Sequence, residues 1–232
     1  MKISPLTENA FMVEFGQEIC SETTLTISEF VAFIKSSFQH DCIDITPSYT
    51  KVMVQYRPRP NLYPKMIAAI ELWHVDQQSN LTKHCGVKRK LHKLPVYYHH
   101  DVAPDLSVVA KEKGLTQQQV IAYHCNKIYD VGAIGFTAGF AFLSSVDDEI
   151  TIPRHASPRL QIPAGSVGIA DQQTAIYPDQ SPGGWHIIGN CPQSLFVDDS
   201  YPLSIFSIGD RVQFVSITRE AFFDLGGQLW QR

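Results

Sequence analysis

Residues 132–192 read GAIGFTAGFAFLSSVDDEITIPRHASPRLQIPAGSVGIADQQTAIYPDQSPGGWHIIGNCP. This stretch holds eight of the chain's 14 glycines and six of its 14 prolines. Glycine permits positive φ and proline fixes φ, so such density means either disorder or a closely specified set of turns. Ile150, Ile152, Leu160, Ile162, Val167, Ile169, Ile176, Ile187 and Ile188 are spaced through it, which argues against disorder. Short apolar pieces separated by Pro-Arg, Pro-Ala-Gly and Pro-Gly-Gly turns read as many short strands with shaped loops. The expectation is a β-barrel or sandwich carrying its site on those loops.

Working outward, the spacing predicts further strands over Leu94–Tyr98, Ile128–Ile134, Ala141–Leu143, Arg159–Ile162, Ser166–Ala170, Gln173–Tyr177, Trp185–Gly189, Ser194–Phe196 and Arg211–Ile217. Asp105–Lys113 and Thr116–Lys127 read as two helices separated by Gly114-Leu115, and Glu220–Leu225 as a short terminal one. The helix pair resembles a helix-turn-helix, but TQQQVIAYHCNK offers no cluster of Arg or Lys for phosphate contacts. Nearer the N-terminus, 10–15 is a strand candidate and Thr23–Phe38 an amphipathic helix with Leu25, Phe30, Phe33, Ile34 and Phe38 mostly three or four apart. Ile43–Thr46 and Val52–Tyr56 form a hairpin-like pair, and Tyr63–Val75 a second helix. The order β-α-β-β-α suggests a split-βαβ, ferredoxin-like layer, its fourth strand expected somewhere in 81–98. Residues 77–93 (QQSNLTKHCGVKRKLHK) are polar and locally basic, and read as a solvated linker rather than a nucleic-acid patch, since no aromatics interleave the charges.

At 232 residues the chain is long enough to bury a core without staples. Its 44% hydrophobic and 18% charged content is that of a soluble globular protein, and a net charge of −4 gives no bulk attraction to nucleic acid. Five scattered cysteines without a CxxC pair fit reduced thiols in the cytoplasm better than a disulfide framework or structural zinc. No apolar run approaches the roughly 18 residues that span a bilayer, and the N-terminus lacks the continuous apolar core of a secretory signal. No membrane and no nucleic-acid partner is expected.

The chemistry-bearing residues are few. Neither GxxxxGK[ST] nor GxGxxG is present. Ala164-Gly165-Ser166-Val167-Gly168 is near the GxSxG elbow but lacks its first glycine and its strand-turn-helix setting, so Ser166 reads as a turn serine sooner than a nucleophile. His99-His100-Asp101 suggests a metal, yet neighbours on a strand point to opposite faces, so no metal is expected there. His124, on a helix, is either a general base or hydrogen-bonder of a site or a satisfied core residue. Arg154 and Arg159 each follow a proline and suit bidentate recognition of carboxylate or phosphate; equally, each could pair with Asp147, Asp148, Glu149 or Asp171. If the first holds, Arg159→Ala should abolish activity with little loss of fold. The permissive Gly183-Gly184 turn presents Trp185 either to a ligand or as a plug of one barrel end.

Gly135-Phe136, Gly139-Phe140-Ala141-Phe142-Leu143, Pro153-Arg154, Ser157-Pro158-Arg159, Pro163-Ala164-Gly165-Ser166-Val167-Gly168-Ile169, Ile176-Tyr177-Pro178, Ser181-Pro182-Gly183-Gly184-Trp185 and Ile188-Gly189 occur in one order. Together they resemble the signature of the family of 5-oxoprolinase B subunits. That family has also been called allophanate hydrolase subunit 1 and includes a kinase-A inhibitor of sporulating bacteria. The resemblance implies an N-terminal α/β domain over 1–84 and a cyclophilin-like β-barrel domain over 92–232. It implies ATP-dependent opening of 5-oxoproline to glutamate in a complex with the A and C subunits, with ATP bound together with a partner subunit. The kinase-inhibitor branch implies instead a non-catalytic partner of a sensor histidine kinase. Arg154, Arg159, Gly165, Ser166, Tyr177, Gly183, Gly184, Trp185 and His124 are the resulting candidates for a substrate or anion site. The chain departs from the family pattern at Ala138 and Phe142, where Pro and Tyr are usual, in Tyr129–Gly132, and at Asn190-Cys191, where Arg-Thr is usual.

Overall fold

A computed structural model describes residues 1–79, 89–196 and 204–230. It is a mixed α/β structure of mostly antiparallel strands in two compact units, Met1–Arg89 and Lys90–Arg232.

The first unit runs β1 (Lys2–Thr7), β2 (Ala10–Glu14), α1 (Ser21–Ser37), β3 (Cys42–Ser48), β4 (Lys51–Tyr56) and α2 (Leu62–Ser79). β4 lies between β2 and β3, antiparallel to both, and β1 flanks β2. Period-2 alternation sends Phe11, Val13, Val52 and Val54 into the core. Ile27, Phe30 and Ile34, three and four apart on α1, meet them from one helix face, and Met66 and Ile70 do so from α2. Trp73 stacks on Phe33 at 5.7 Å. The fourth strand of this sheet is β1; in 89–98, the described part of the expected segment, the strand Leu91–Val96 pairs within the second unit. The β1 sequence, KISPLT, carries a proline and is largely exposed, as an edge strand can be. Residues 80–88, most of the basic stretch read as a linker, lie outside the described residues.

The second unit runs β5 (Leu91–Val96), α3 (Leu106–Lys113), α4 (Gln117–Cys125), β6 (Tyr129–Ile134), β7 (Ala141–Ser144), a 3-10 turn (Asp148–Ile150), β8 (Arg159–Ile162), β9 (Ser166–Ala170), β10 (Gln173–Ile176), β11 (Ser181–Gly183), β12 (His186–Asn190), β13 (Arg211–Ser216) and α5 (Arg219–Asp224). The main sheet runs β5-β13-β6-β7-β10-β9-β12, antiparallel except for the β5–β13 pair. Its two ends meet where Tyr97, just past β5, bridges Asn190 at the end of β12. The curled sheet closes over Leu94, Val96, Val131, Leu143, Val167, Ile169, Val212 and Phe214, against Val109 and Val120 of the helices. α3 stops at Gly114, whose φ of 67° suits glycine, and α4 starts in a capping box between Thr116 and Gln119.

β8 and β11 form a separate two-stranded sheet that carries the proline-braced loop. β11 has only three residues, one of them proline, and gives no alternating pattern to read. The expected strand Ser194–Phe196 is reduced to one bridge between Phe196 and Ser204. No helix among the described residues is long and apolar enough to cross a membrane.

Candidate functional site

The site is built on Asp105, which precedes α3 but leaves that helix uncapped. Its carboxylate turns instead to Arg159, the first residue of β8. Nη2 donates to Oδ1 at 2.7 Å and Nη1 to Oδ2 at 2.8 Å, a bidentate pair. The Ile187 N–H donates to Oδ2 at 2.7 Å, and the Asp105 N–H returns a bond to the Ile187 carbonyl. Asp105 is buried and Arg159 half-buried. Burial opposes ionisation of Asp105. The hydrogen bonds from Arg159 and Ile187, with the charges of Arg159 and His155, more than offset it and hold the carboxyl below its usual value. Arg159 thus has an acidic partner, but none of the four that its sequence neighbourhood suggests.

Two histidines complete the cluster. His155 Nε2 lies 3.4 Å from Asp105 Oδ2 and 3.2 Å from Arg159 Nη1. Its ring packs on that of His186 at 3.8 Å. His186 Nε2 meets the Pro153 carbonyl at 3.0 Å, and a carbonyl only accepts, so that nitrogen carries the proton. Burial and the neighbouring His155 lower the His186 pKa, and its Nδ1 is buried without a partner. Asp105, His155 and His186 stand close enough to surround an ion. The cation already there is Arg159, which occupies both carboxylate oxygens.

The loop before β8 lies along the Gly183-Gly184 turn. Gly183 pairs with Arg159, and the His155 N–H donates to the Gly184 carbonyl at 2.8 Å. Arg154 Nη2 would stand 3.6 Å from a Cβ on Gly184. The Arg154 side chain is exposed and makes no ion pair or hydrogen bond among the described residues. Beneath it the Tyr177 hydroxyl is pushed up to about 12 by burial, against the pull of Arg154, the Trp185 N–H and Arg159. Trp185 is buried, edge-on to Phe140 at 5.9 Å, in a cluster with Ile162, Ala175 and Ile187. It fills the core and does not offer its face to a solute. A Cβ on Gly183 would collide with the Tyr177 hydroxyl and stand 2.8 Å from Ile162 Cδ1. Gly183→Ala is expected to cost about 1–3 kcal/mol by overpacking, seen as a lower midpoint of thermal unfolding.

Beside the cluster opens a cleft of ≈ 740 Å³, with Gly165, Gln180, Asn190, Gln193 and Trp230 among its walls. Gly165 has a φ of 77° and no room for a Cβ against the Cys191 carbonyl. Its N–H donates to the Tyr177 carbonyl, and its own carbonyl accepts from the Cys191 N–H, both at 2.7 Å. The Asn190 amide donates to the Ala164 carbonyl at 3.0 Å. Ser166 is buried, its hydroxyl without a partner, so it is no surface nucleophile. The Arg159 guanidinium lies 6.0 Å from the Trp230 ring, which joins the cleft to the cluster.

His124 stands apart from all of this. It is fully buried, with Nδ1 2.7 Å from the Tyr98 hydroxyl and Nε2 2.9 Å from Thr174 Oγ1. Of the sequence candidates, Arg154, Arg159, Gly183 and Gly184 share one surface, with Tyr177 and Trp185 buried below them. Gly165 lines the cleft and Ser166 lies buried beside it. Asp105, His155, His186 and Trp230 join the site without having been candidates. His155 had the one available signal, lying between the two proline-braced arginines. Asp105 reaches the site only because β12 and α3 pack together.

Residues 1–206 match the family described as carboxyltransferase domain, subdomain C and D, and the chain belongs to that family. It is 33% identical over 227 residues to the 5-oxoprolinase B subunit of Bacillus subtilis, covering 95% of each chain. It is 43% identical over 123 residues to the protein of the same name from Haemophilus influenzae, covering 53% of this chain and 58% of that one. Among solved structures, TTHA0988 superposes with a TM-score of 0.77 at 27% identity over 90% of this chain. The chain spans 40% of the length of TTHA0988.

Proposed function

We propose that the chain is the B subunit of a 5-oxoprolinase, opening 5-oxoproline to glutamate at the expense of ATP with homologues of the A and C subunits in the cytoplasm. The observation that carries this reading is the 33% identity across 95% of both chains to the Bacillus subtilis protein. In the same reading the first unit is a ferredoxin-like layer and the second a cyclophilin-like barrel. The chemistry of the site supports it. A lactam is a poor electrophile, and phosphorylating its carbonyl oxygen makes ring opening feasible. The substrate's carboxylate and the phosphorylated oxygen both need positive charge held in place. Arg159 is held beside the cleft by Asp105, whose carboxylate balances its charge, which leaves Arg154 as the available cation. Arg154 is exposed and unpaired among the described residues, and its guanidinium suits the substrate carboxylate. ATP would bind in a site shared with the partner.

The test is ATP-dependent glutamate release from 5-oxoproline by the reconstituted subunits. Release should require this chain, and an equal rate without it would overturn the reading. Arg154→Ala should lower the rate about 10²-fold, the scale of one lost electrostatic donor. Its thermal midpoint should not move, because the side chain is exposed and makes no bond. An unchanged rate would remove Arg154 from the substrate site.

A further inference from the structure

We propose that His99, His100 and Asp101 form a binding site for a divalent transition-metal ion, zinc in the first instance. This goes beyond the 5-oxoproline reading and does not depend on it. Strand alternation would send the two imidazoles to opposite faces, but the strand has ended. β5 stops at Val96, Tyr97 makes a single bridge, and His99 to Val102 turn, with the Val102 and Ala103 N–H groups both donating to the His99 carbonyl. In that turn the two rings lie together, their centroids 3.9 Å apart.

Both histidines aim a nitrogen at the same carboxylate. His99 Nδ1 is 3.1 Å from Asp101 Oδ2, and His100 Nε2 is 3.1 Å from Oδ1. One donor atom from each of the three residues lies within 4.8 Å of the others. Two donors on one tetrahedral zinc, each at about 2.0–2.1 Å, stand roughly 3.3 Å apart. Each nitrogen–oxygen spacing, one to each carboxylate oxygen, is close to that span, so small side-chain rotations bring two imidazoles and one carboxylate onto one ion, leaving a position for solvent. Two imidazole donors select zinc, copper or nickel over magnesium or calcium.

The site is reachable and held. The His100 side chain is 73% exposed and that of His99 38%. Tyr97 stacks on the His99 ring at 5.5 Å. The Asp101 carbonyl accepts from the Trp230 N–H at 3.2 Å. The competing cation, Arg219, is 3.8 Å from Asp101 Oδ2 and 52% exposed, its guanidinium lying over the Phe223 ring at 5.6 Å. This differs from the Asp105 cluster, where the guanidinium is locked in place.

The test is calorimetric titration of the full chain with zinc chloride and, separately, magnesium chloride. The expected result is one zinc ion per chain and no magnesium. Loss of an outer-shell partner already weakens metal sites by about 10–100-fold. Removing a ligand itself, in His99→Ala or His100→Ala, should therefore weaken zinc by more than about tenfold. His40→Ala, an exposed histidine in the other unit, should change nothing. The proposal is overturned if the chain binds no zinc, if both ligand variants bind it like the parent, or if His155→Ala abolishes binding instead.

Discussion

Arg159→Ala is expected to lower the free energy of unfolding by about 3 kcal/mol, the low end of the cost of stripping one partner from a buried pair. The low end applies because the Arg159 side chain is 30% exposed while that of Asp105 is 4% exposed. The loss should depend on pH with a definite sign. In the parent, the Asp105 carboxyl is held below its unfolded value despite burial. Its stabilisation is therefore complete above that unfolded value, about 3.9, and is lost as pH falls through the folded one. In the variant, burial remains and the guanidinium is gone, so the carboxyl moves up. It then opposes folding as pH rises. The gap between parent and variant should be full by neutrality and should narrow as the pH falls below about 3.9. Urea unfolding at a series of pH values measures it, and a gap that does not vary with pH would remove the ion pair as its cause. Asp105→Asn in a double-mutant cycle isolates the pair from the Ile187 hydrogen bond. The expectation from sequence that this substitution leaves the fold nearly intact gives way to an expected loss of stability, because Arg159 is paired with the buried Asp105. Arg154 is the position at which activity and stability should separate.

What can be read from the sequence follows from the range of the interactions. The strands of the second unit are legible because their apolar residues and turn residues are local. The arginines are legible because proline, glycine and guanidinium stand within a few positions of each other. The partner of Arg159 is not, because Asp105 lies 54 residues earlier and meets it only when α3 packs beside β12. β1 escapes the pattern because an exposed edge strand carries little hydrophobic alternation to find. His99 and His100 mislead for a local reason. The rule for opposite faces holds within a strand, and the strand ends at Val96. Trp185 can be read two ways until the cluster of Phe140, Ile162 and Ile187 shows it buried.

His124→Ala should cost about 4 kcal/mol or more, through a cavity and a Tyr98 hydroxyl left without its acceptor. The protons around His124 can be followed in one direction. The Cys125 thiol donates to the Tyr98 hydroxyl, which donates to His124 Nδ1. His124 Nε2–H then donates to Thr174 Oγ1, whose own proton goes to the Gly168 carbonyl. Phe214 covers the ring face at 4.3 Å. Every polar group in this chain of bonds is satisfied only while His124 is neutral, and burial lowers its pKa to about 3. The folded value lies below the unfolded one of about 6.5, so this group's contribution is complete above that pH and is lost as pH falls toward 3. Between pH 7.5 and pH 5 that amounts to about 2 kcal/mol, at roughly 1.4 kcal/mol per unit below 6.5. His124→Gln retains a donor and an acceptor, so it should fold, and it should abolish that part of the pH dependence. Equal acid slopes for parent and His124→Gln, or an imidazole proton signal from His124 titrating near 6.5, would show that the histidine is not held neutral in the core. A general base needs access to substrate and a proton affinity near the working pH. His124 has neither, and its place is in the frame that ties α4 to β10.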